Sequence, residues 1–221
     1  MRINKYLAAH SQLSRRAADK AITDGRVEIN GIIGKLGDTV IDSDIITLDG
    51  RRVSNEAPKQ TIMLNKPVGY VCSRAGQGSK TVYDLLPPEL HHLQPVGRLD
   101  KASGGLLLLT NDGDLANLLT HPRHQKQKKY VVTLNKELDI KDQETINKHG
   151  VTLEDGLSRL SLSPTPEGPR VWVVTMSEGR NRQIRRTFDA LGYTVTRLFR
   201  TDFGPYQLER LEPGEYRLIT M

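Results

Sequence analysis

Val96-Gly97-Arg98-Leu99-Asp100-Lys101-Ala102-Ser103-Gly104-Gly105 runs directly into Leu106-Leu107-Leu108-Leu109-Thr110-Asn111-Asp112-Gly113. The leucine run is too apolar to lie anywhere but inside, and it is bounded by glycines and a turn, so it reads as a buried strand. An arginine and an aspartate sit on the glycine-marked turn just before it. A charged pair at the mouth of a buried strand is where a fold positions chemistry rather than where it gains stability. The plainer reading is an aspartate that caps the turn with Arg98 covering it. The stretch alone leaves the two readings even.

Working outward, Thr61–Asn65 reads as a second buried strand ended by Lys66-Pro67, and Tyr70–Cys72 as a third. Residues 73–80 form a glycine- and serine-rich loop, and Thr81–Leu86 a helical turn before Pro87-Pro88. Downstream, a short helix begins at Asp114 and ends at His121-Pro122. Tyr130–Leu134, Arg159–Ser163, Val171–Met176, Thr194–Phe199 and Tyr216–Thr220 read as strands. Asp139 caps a helix to Lys148. Arg182–Leu191 is a helix with Ile184, Phe188 and Leu191 inward and Gly192 beyond its end.

Upstream, Ile3, Tyr6 and Leu7 have helical spacing. Ser14 then caps a second helix that Gly25 stops. Val27 to Ile33 folds about Asn30-Gly31 as a tight hairpin, and Val40, Ile45, Ile46 and Leu48 supply further strand. Ser54–Gln60 is polar, breaks both periodicities and reads as a linker. The expected fold is α+β. Residues 1–58 form a small helix-pair-plus-hairpin domain with its linker, and residues 59–221 a catalytic domain on a mixed, largely antiparallel sheet.

Charge narrows the class of partner. The 221 residues carry 32 Lys and Arg against 26 Asp and Glu, a net charge of +6. Residues 1–27 hold six basic side chains and two acidic ones, whereas 28–58 hold three and six. A helix pair that concentrates arginine on a hairpin body that does not is the pattern of a one-sided phosphate-binding surface, though an ordinary solvated helix face has the same composition. The one cysteine, Cys72, excludes an internal disulfide and a cysteine zinc cluster. No apolar run reaches the roughly 18 residues of a membrane span. Met1-Arg2-Ile3-Asn4-Lys5 lacks a signal-peptide core, so a cytoplasmic protein is expected.

Several familiar sites are missing. There is no Gly-x4-Gly-Lys-Ser/Thr loop and no Gly-x-Gly-x-x-Gly after a strand. Ser103 lacks the preceding glycine of a nucleophile elbow. His121 and His124 lie in a helix-breaking His-Pro-Arg-His with no third ligand, which argues against zinc and places them in a basic loop. Three islands remain: Gly97-Arg98-Leu99-Asp100, Lys128-Lys129-Tyr130, and the arginine-dense Ser177–Arg186. An aspartate, a tyrosine and an arginine brought together suit nucleophilic attack or proton transfer without a metal.

At these residues the chain resembles the bacterial RsuA/RluB-type pseudouridine synthases. The likeness rests on GRLDKASGG followed by LLLLTNDG, on Lys-x-Tyr at 128–130, and on EGRNRQIRR with Leu191-Gly192 and Arg200 beyond it. Leu64–Tyr70 and Gly150–Gly156 extend it over essentially all of 61–221. Residues 1–53, with Ser14-Arg15-Arg16 and Gly25–Gly31, resemble the small alpha-L RNA-binding domain shared with a ribosomal protein. One departure is visible: Ser103 stands where the family usually has threonine, and the hydroxyl is kept.

The resemblance implies roles. Asp100 matches the catalytic aspartate, the nucleophile, and Tyr130 the tyrosine against the uracil ring. Arg185 matches the basic residue paired with the aspartate and is expected to keep it ionised. Arg98 matches an arginine that holds RNA with its base flipped out, Ile184 lines the base pocket, and Arg182 joins them among the substrate contacts. Arg2, Lys5, Ser14, Arg15, Arg16 and Arg26 are the expected RNA-binding set of the small domain.

The implied activity is isomerisation of a specific uridine in ribosomal RNA, with large-subunit RNA slightly favoured. No metal and no cofactor is implied, and the partner is ribosomal RNA, alone or in pre-ribosomal particles, met by a monomer away from any membrane. Asp100 would attack either the ribose anomeric carbon or the uracil ring. The alternative is a non-catalytic RNA-binding assembly factor on the same fold. The presence of Asp100 favours the enzyme.

Overall fold

The computed structural model describes residues 1–11, 13–53 and 58–219. By its contacts the chain divides into two units: Met1–Gln60 with Asn111–Gly113, and Thr61–Thr110 with Asp114–Met221.

In the first unit, α1 (Ile3–His10) and α2 (Arg15–Thr23) bury Ile3, Leu7, Ala18, Ala21 and Ile22 together with Val27, Val40 and Ile46. The Ser14 Oγ accepts from the Ala17 N–H at 3.2 Å, which satisfies one of the helix's orphan donors. β1 (Val27–Ile29) and β2 (Ile32–Ile33) meet at Asn30-Gly31, whose φ angles of 53° and 80° are both left-handed, as a two-residue I′ turn requires. β3 (Ile46–Leu48) pairs with β1, and β4 (Arg51–Arg52) pairs with β3. Val40 is core but lies outside the named strands. The expected linker falls, at 54–57, outside the described residues, as does Thr220 at the expected end of the last strand.

The second unit is built on a mixed sheet with nine strands among the described residues. In chain order its elements are β5 (Thr61–Lys66), β6 (Gln94–Val96), β7 (Gly104–Thr110), α3 (Gly113–Thr120) and β8 (Lys128–Leu134). They continue with α4 (Ile140–Glu144), the hairpin β9 (Val151–Leu153) and β10 (Gly156–Ser158), β11 (Ser161–Pro164) and β12 (Val171–Met176). The last are α5 (Gln183–Asp189), β13 (Val195–Phe203), β14 (Tyr206–Gln207) and β15 (Tyr216–Leu218). The sheet order is β11-β12-β8-β13-β7-β5-β15, with β14 on β13 and β6 on β7. Every pair is antiparallel except β13 with β7.

β7 explains the leucine run. Leu107 and Leu109 face one core with Ile62 and Leu64, while Leu106 and Leu108 face another with Met63, Leu119 and Phe203. A strand covered on both sides shows no polar alternation. In this unit the structure adds β6, β9, β10 and β14, which the sequence reading did not contain, and changes two elements that it did. Tyr70–Cys72 is not a strand: Val71 makes one isolated bridge to Thr81, and the Cys72 Sγ is engaged by the Leu99 backbone instead. The helix capped by Asp139 is α-helical only to Glu144 and widens into π turns over Thr145–His149, ending at Gly150 with φ 77°.

Candidate active site

The turn before β7 opens onto a cleft of about 960 Å3 within the second unit. Asp100, Arg98, Tyr130, Ile184 and Arg182, drawn from all three charged islands, line it. Tyr130 and Ile184 are buried and give the cleft an apolar wall, whereas Arg98 and Arg182 are exposed. A half-exposed carboxylate sharing a cleft with a tyrosine, an apolar wall and two exposed arginines suits a flat, polar ring attached to an anionic chain.

Asp100 is held from behind by its backbone. The Ser103 N–H donates to the Asp100 carbonyl at 3.0 Å, closing the turn. The fully buried Lys66 donates from Nζ to the carbonyls of Pro67 (3.1 Å), Asp100 (3.2 Å) and Ser103 (2.7 Å). Burial pushes the Lys66 ammonium below its ordinary value, while Cys72 and Asp100 favour its charged form. A buried cation sharing itself among three carbonyls fixes the loop that carries Asp100, and leaves the carboxylate itself to the cleft.

The expected pairing of Asp100 with Arg185 takes a different form. Arg182 is the residue at ion-pair distance, Nη1 to Oδ2 at 3.8 Å. Arg185 does not line the cleft. Its Nη1 donates to the Val195 carbonyl (2.7 Å), and its Nη2 to the Ala102 carbonyl (2.8 Å) and, at 3.5 Å, the Ser103 Oγ. It therefore ties the loop after Asp100 to the start of β13. Burial depresses the Arg185 guanidinium, Arg182 adds to that, and Asp100 opposes it.

The difference arises at the start of α5. Arg182 is the residue before its first turn and has φ 47°, a left-handed conformation uncommon outside glycine. Such strain persists only where the surroundings enforce it, and it often marks a functional position. Here it accompanies the guanidinium that reaches Asp100. Arg185→Gln should lower the turnover number about 10²-fold, through a displaced Asp100 loop, while leaving the salt dependence of RNA binding unchanged. Single-turnover kinetics and a salt titration check both halves.

The remaining arginines of this island are structural. Arg180 donates to the Asp155 carbonyl and carboxylate (both 2.8 Å), to Gly156 O (3.1 Å) and to Leu157 O (3.0 Å). Arg186 grips the same Asp155 carboxylate with two bonds of 3.0 and 2.7 Å, holding it below the usual carboxylate range. Both pin the β9–β10 hairpin. The buried Gln183 joins them, donating to Ser158 Oγ (3.1 Å) and to the Glu178 carboxylate and accepting from the Arg180 N–H (3.1 Å).

Lys66, behind the Asp100 turn, and Arg200, in the cleft wall, carried no assigned role in the sequence reading. Lys66 is signalled only by its place at the end of an apolar strand. Arg200, 2% exposed and lining the cleft, shares the inward parity of Leu198 and Val132 in β13 and β8. An arginine at a core-facing strand position was the available signal.

In the first unit Arg2, Arg15 and Arg16 are exposed and Lys5 is half-buried. Ser14 is occupied as the α2 cap, and Arg26 is bound two-fold by Asp49 at 2.7 and 2.6 Å. Both therefore have structural tasks besides the RNA contact expected of them. Among the described residues no group of three His, Cys, Asp or Glu is placed to hold a metal ion. No helix among them is long and apolar enough to cross a membrane.

Comparison with known proteins shows the family and the fold. Residues 60–190 match the family model described as RNA pseudouridylate synthase, and residues 1–46 match the S4 domain. Over 98% of its length the chain is 38% identical to the ribosomal large subunit pseudouridine synthase B of Pseudomonas aeruginosa, of which it spans 58%. It is 36% identical over 99% of its length to the Bacillus subtilis protein of the same name, of which it spans 92%. A crystal structure of a pseudouridylate synthase aligns with 100% of this chain and 96% of its own, at 34% identity and a TM-score of 0.72.

Proposed function

We propose that this protein, which belongs to the RNA pseudouridylate synthase family, converts a specific uridine of large-subunit ribosomal RNA to pseudouridine. The observation that carries the reading is Asp100: a half-exposed carboxylate in a cleft, its backbone fixed by Lys66 and its oxygen facing Arg182. The similarity to two large-subunit synthases supports the choice of RNA.

The chemistry follows from the groups. A stacked uridine is unreachable, so the base must leave the helix and enter the cleft. Asp100 attacks the ribose anomeric carbon or the uracil ring, and the glycosidic carbon–nitrogen bond breaks. The uracil turns while enclosed between Tyr130 and Ile184; a ring carbon bonds to the ribose and loses its proton, the former glycosidic nitrogen takes one up, and the bond to Asp100 breaks to return the free carboxylate. Enclosure keeps the detached base from escaping. Tyr130 lies against the ring and is the candidate for proton transfer, and Arg98 and Arg182 face the charged backbone. The rearrangement has no net redox change or group transfer and so calls for no cofactor.

Residues 59–221 carry this chemistry as a monomer in the cytoplasm. Residues 1–58 supply the phosphate-binding face, with Arg2, Lys5, Arg15 and Arg16 contributing charge, on free or pre-ribosomal RNA. Transcripts labelled with tritium at uridine C5 test the reading. Release of tritium from a 23S transcript and not from a 16S transcript is expected. Release from neither overturns the enzyme reading, and release from 16S alone overturns the subunit.

A further inference from the structure

We infer that Lys128 and Arg200, which converge on the Phe203 ring in the cleft, form a seat for one phosphodiester group of an RNA strand bound there. The inference rests on RNA occupying the cleft, as proposed above. β8 and β13 build the seat: Phe203 lies opposite Lys128, and Arg200 lies opposite Tyr130. The Lys128 Nζ stands 5.2 Å from the Phe203 ring centre and the Arg200 guanidinium 4.9 Å from it, so one aromatic ring serves two cations. All three residues line the cleft.

Neither cation is neutralised. Arg200 is 2% exposed; its Nε donates to the Leu106 carbonyl at 2.7 Å, but its buried Nη2 has no hydrogen-bond partner among the described residues. Lys128 is half-buried and its Nζ donates to the carbonyls of Lys126 and Glu178, both at 3.4 Å. Among the described residues neither forms an ion pair. Burial and the neighbouring Arg200 both push the Lys128 ammonium down from its ordinary value, with Glu178 opposing them.

Two like charges held together in a partly desolvated wall are unfavourable until an anion joins them. Arginine and lysine differ in a useful way here. The planar guanidinium offers directed donors, while the ammonium acts as a point charge. A phosphodiester satisfies both, and it is the anion that an RNA strand carries at every nucleotide. Because Arg200 is the cross-strand neighbour of Tyr130, the seat adjoins the base pocket, so it would hold the backbone next to the flipped nucleotide.

Binding of a 23S rRNA transcript across a salt series tests this with wild type, Lys128→Gln, Lys128→Arg and Arg200→Gln. Lys128→Gln should weaken binding at low salt about five-fold and make the log–log salt slope shallower by about 0.7 to 0.9. Lys128→Arg should keep the wild-type slope. Arg200→Gln should lose at least as much as Lys128→Gln, and if it fails to fold, Lys128→Gln decides alone. A wild-type slope in Lys128→Gln overturns the seat. Protection of Lys128 from an amine-reactive reagent separates the sources of phosphate: the transcript should protect it, and equal protection by inorganic phosphate overturns the assignment to RNA. Tritium release keeps the two proposals apart. A wild type that releases none, with a shallower slope in Lys128→Gln, retires uridine isomerisation and leaves the seat standing.

Discussion

Asp100→Asn should abolish tritium release from the 23S transcript, lowering turnover by at least about 10⁴-fold, the scale on which enzymes lose a nucleophile. The substitution removes a negative charge and nucleophilic character while keeping the side chain's size. Its structural cost should be small. The carboxylate is 37% exposed and its ion pair with Arg182 is 3.8 Å long, whereas the backbone bonds from Ser103 and Lys66 that fix the turn end on the main-chain carbonyl, which asparagine keeps. The melting temperature should therefore stay within about 2 °C of wild type, as for a surface change away from caps and buried networks. RNA affinity should also stay close to wild type, because the phosphate-facing cations are untouched. Equal tritium release by the variant would remove Asp100 from the chemistry. Loss of release together with a large drop in melting temperature would instead assign it a structural task.

How far the sequence disclosed this arrangement depends on the kind of residue. Hydrophobic pattern located the leucines of β7, the neighbouring β5 and β13 but not the short β6, and the helices of the small unit, because burial leaves a periodic trace. Turn chemistry located Asn30-Gly31 and the Ser14 cap for the same reason. Tertiary choice between like residues left no trace. Arg182 and Arg185 stand three apart at a helix start, on neighbouring positions of one face. Which of them meets Asp100 depends on a left-handed residue at position 182 that nothing local demands. Lys66 and Arg200 were harder still, since a buried cation held by carbonyls looks in sequence like any basic residue between strands. The β9–β10 hairpin is short and owes much of its placement to Arg180 and Arg186 gripping Asp155, contacts between distant parts of the chain.

Gly105→Ala should be the most destabilising single-carbon change near the site. Gly105 lies where β7 meets β13, directly opposite Arg200, at the parallel pairing in an otherwise antiparallel sheet. Its φ is 100°, a conformation that L side chains rarely adopt. A Cβ there would lie 2.3 Å from the Arg200 carbonyl oxygen and 2.7 Å from its nitrogen, and both are backbone atoms that no rotamer change can move. Backbone strain of about 1–3 kcal/mol and overpacking of similar size combine to about 3 kcal/mol or more. At roughly 3 °C per kcal/mol for a domain of this size, the melting temperature should fall by about 10 °C. The single tryptophan, Trp172, is buried in the core of this unit, so its fluorescence follows the relevant transition. Gly113→Ala is the control: a Cβ at Gly113 meets nothing within 4 Å, and its transition should shift by less than about 2 °C. The same close approach keeps the Asp100 turn and the Arg200 guanidinium in register, because Gly105 is joined to one and packed on the other. Gly105→Ala that folds at low temperature should therefore lose both turnover and part of the salt slope. An unchanged melting temperature would show that the two strands are free to separate at this point, and that the site's rigidity comes from elsewhere.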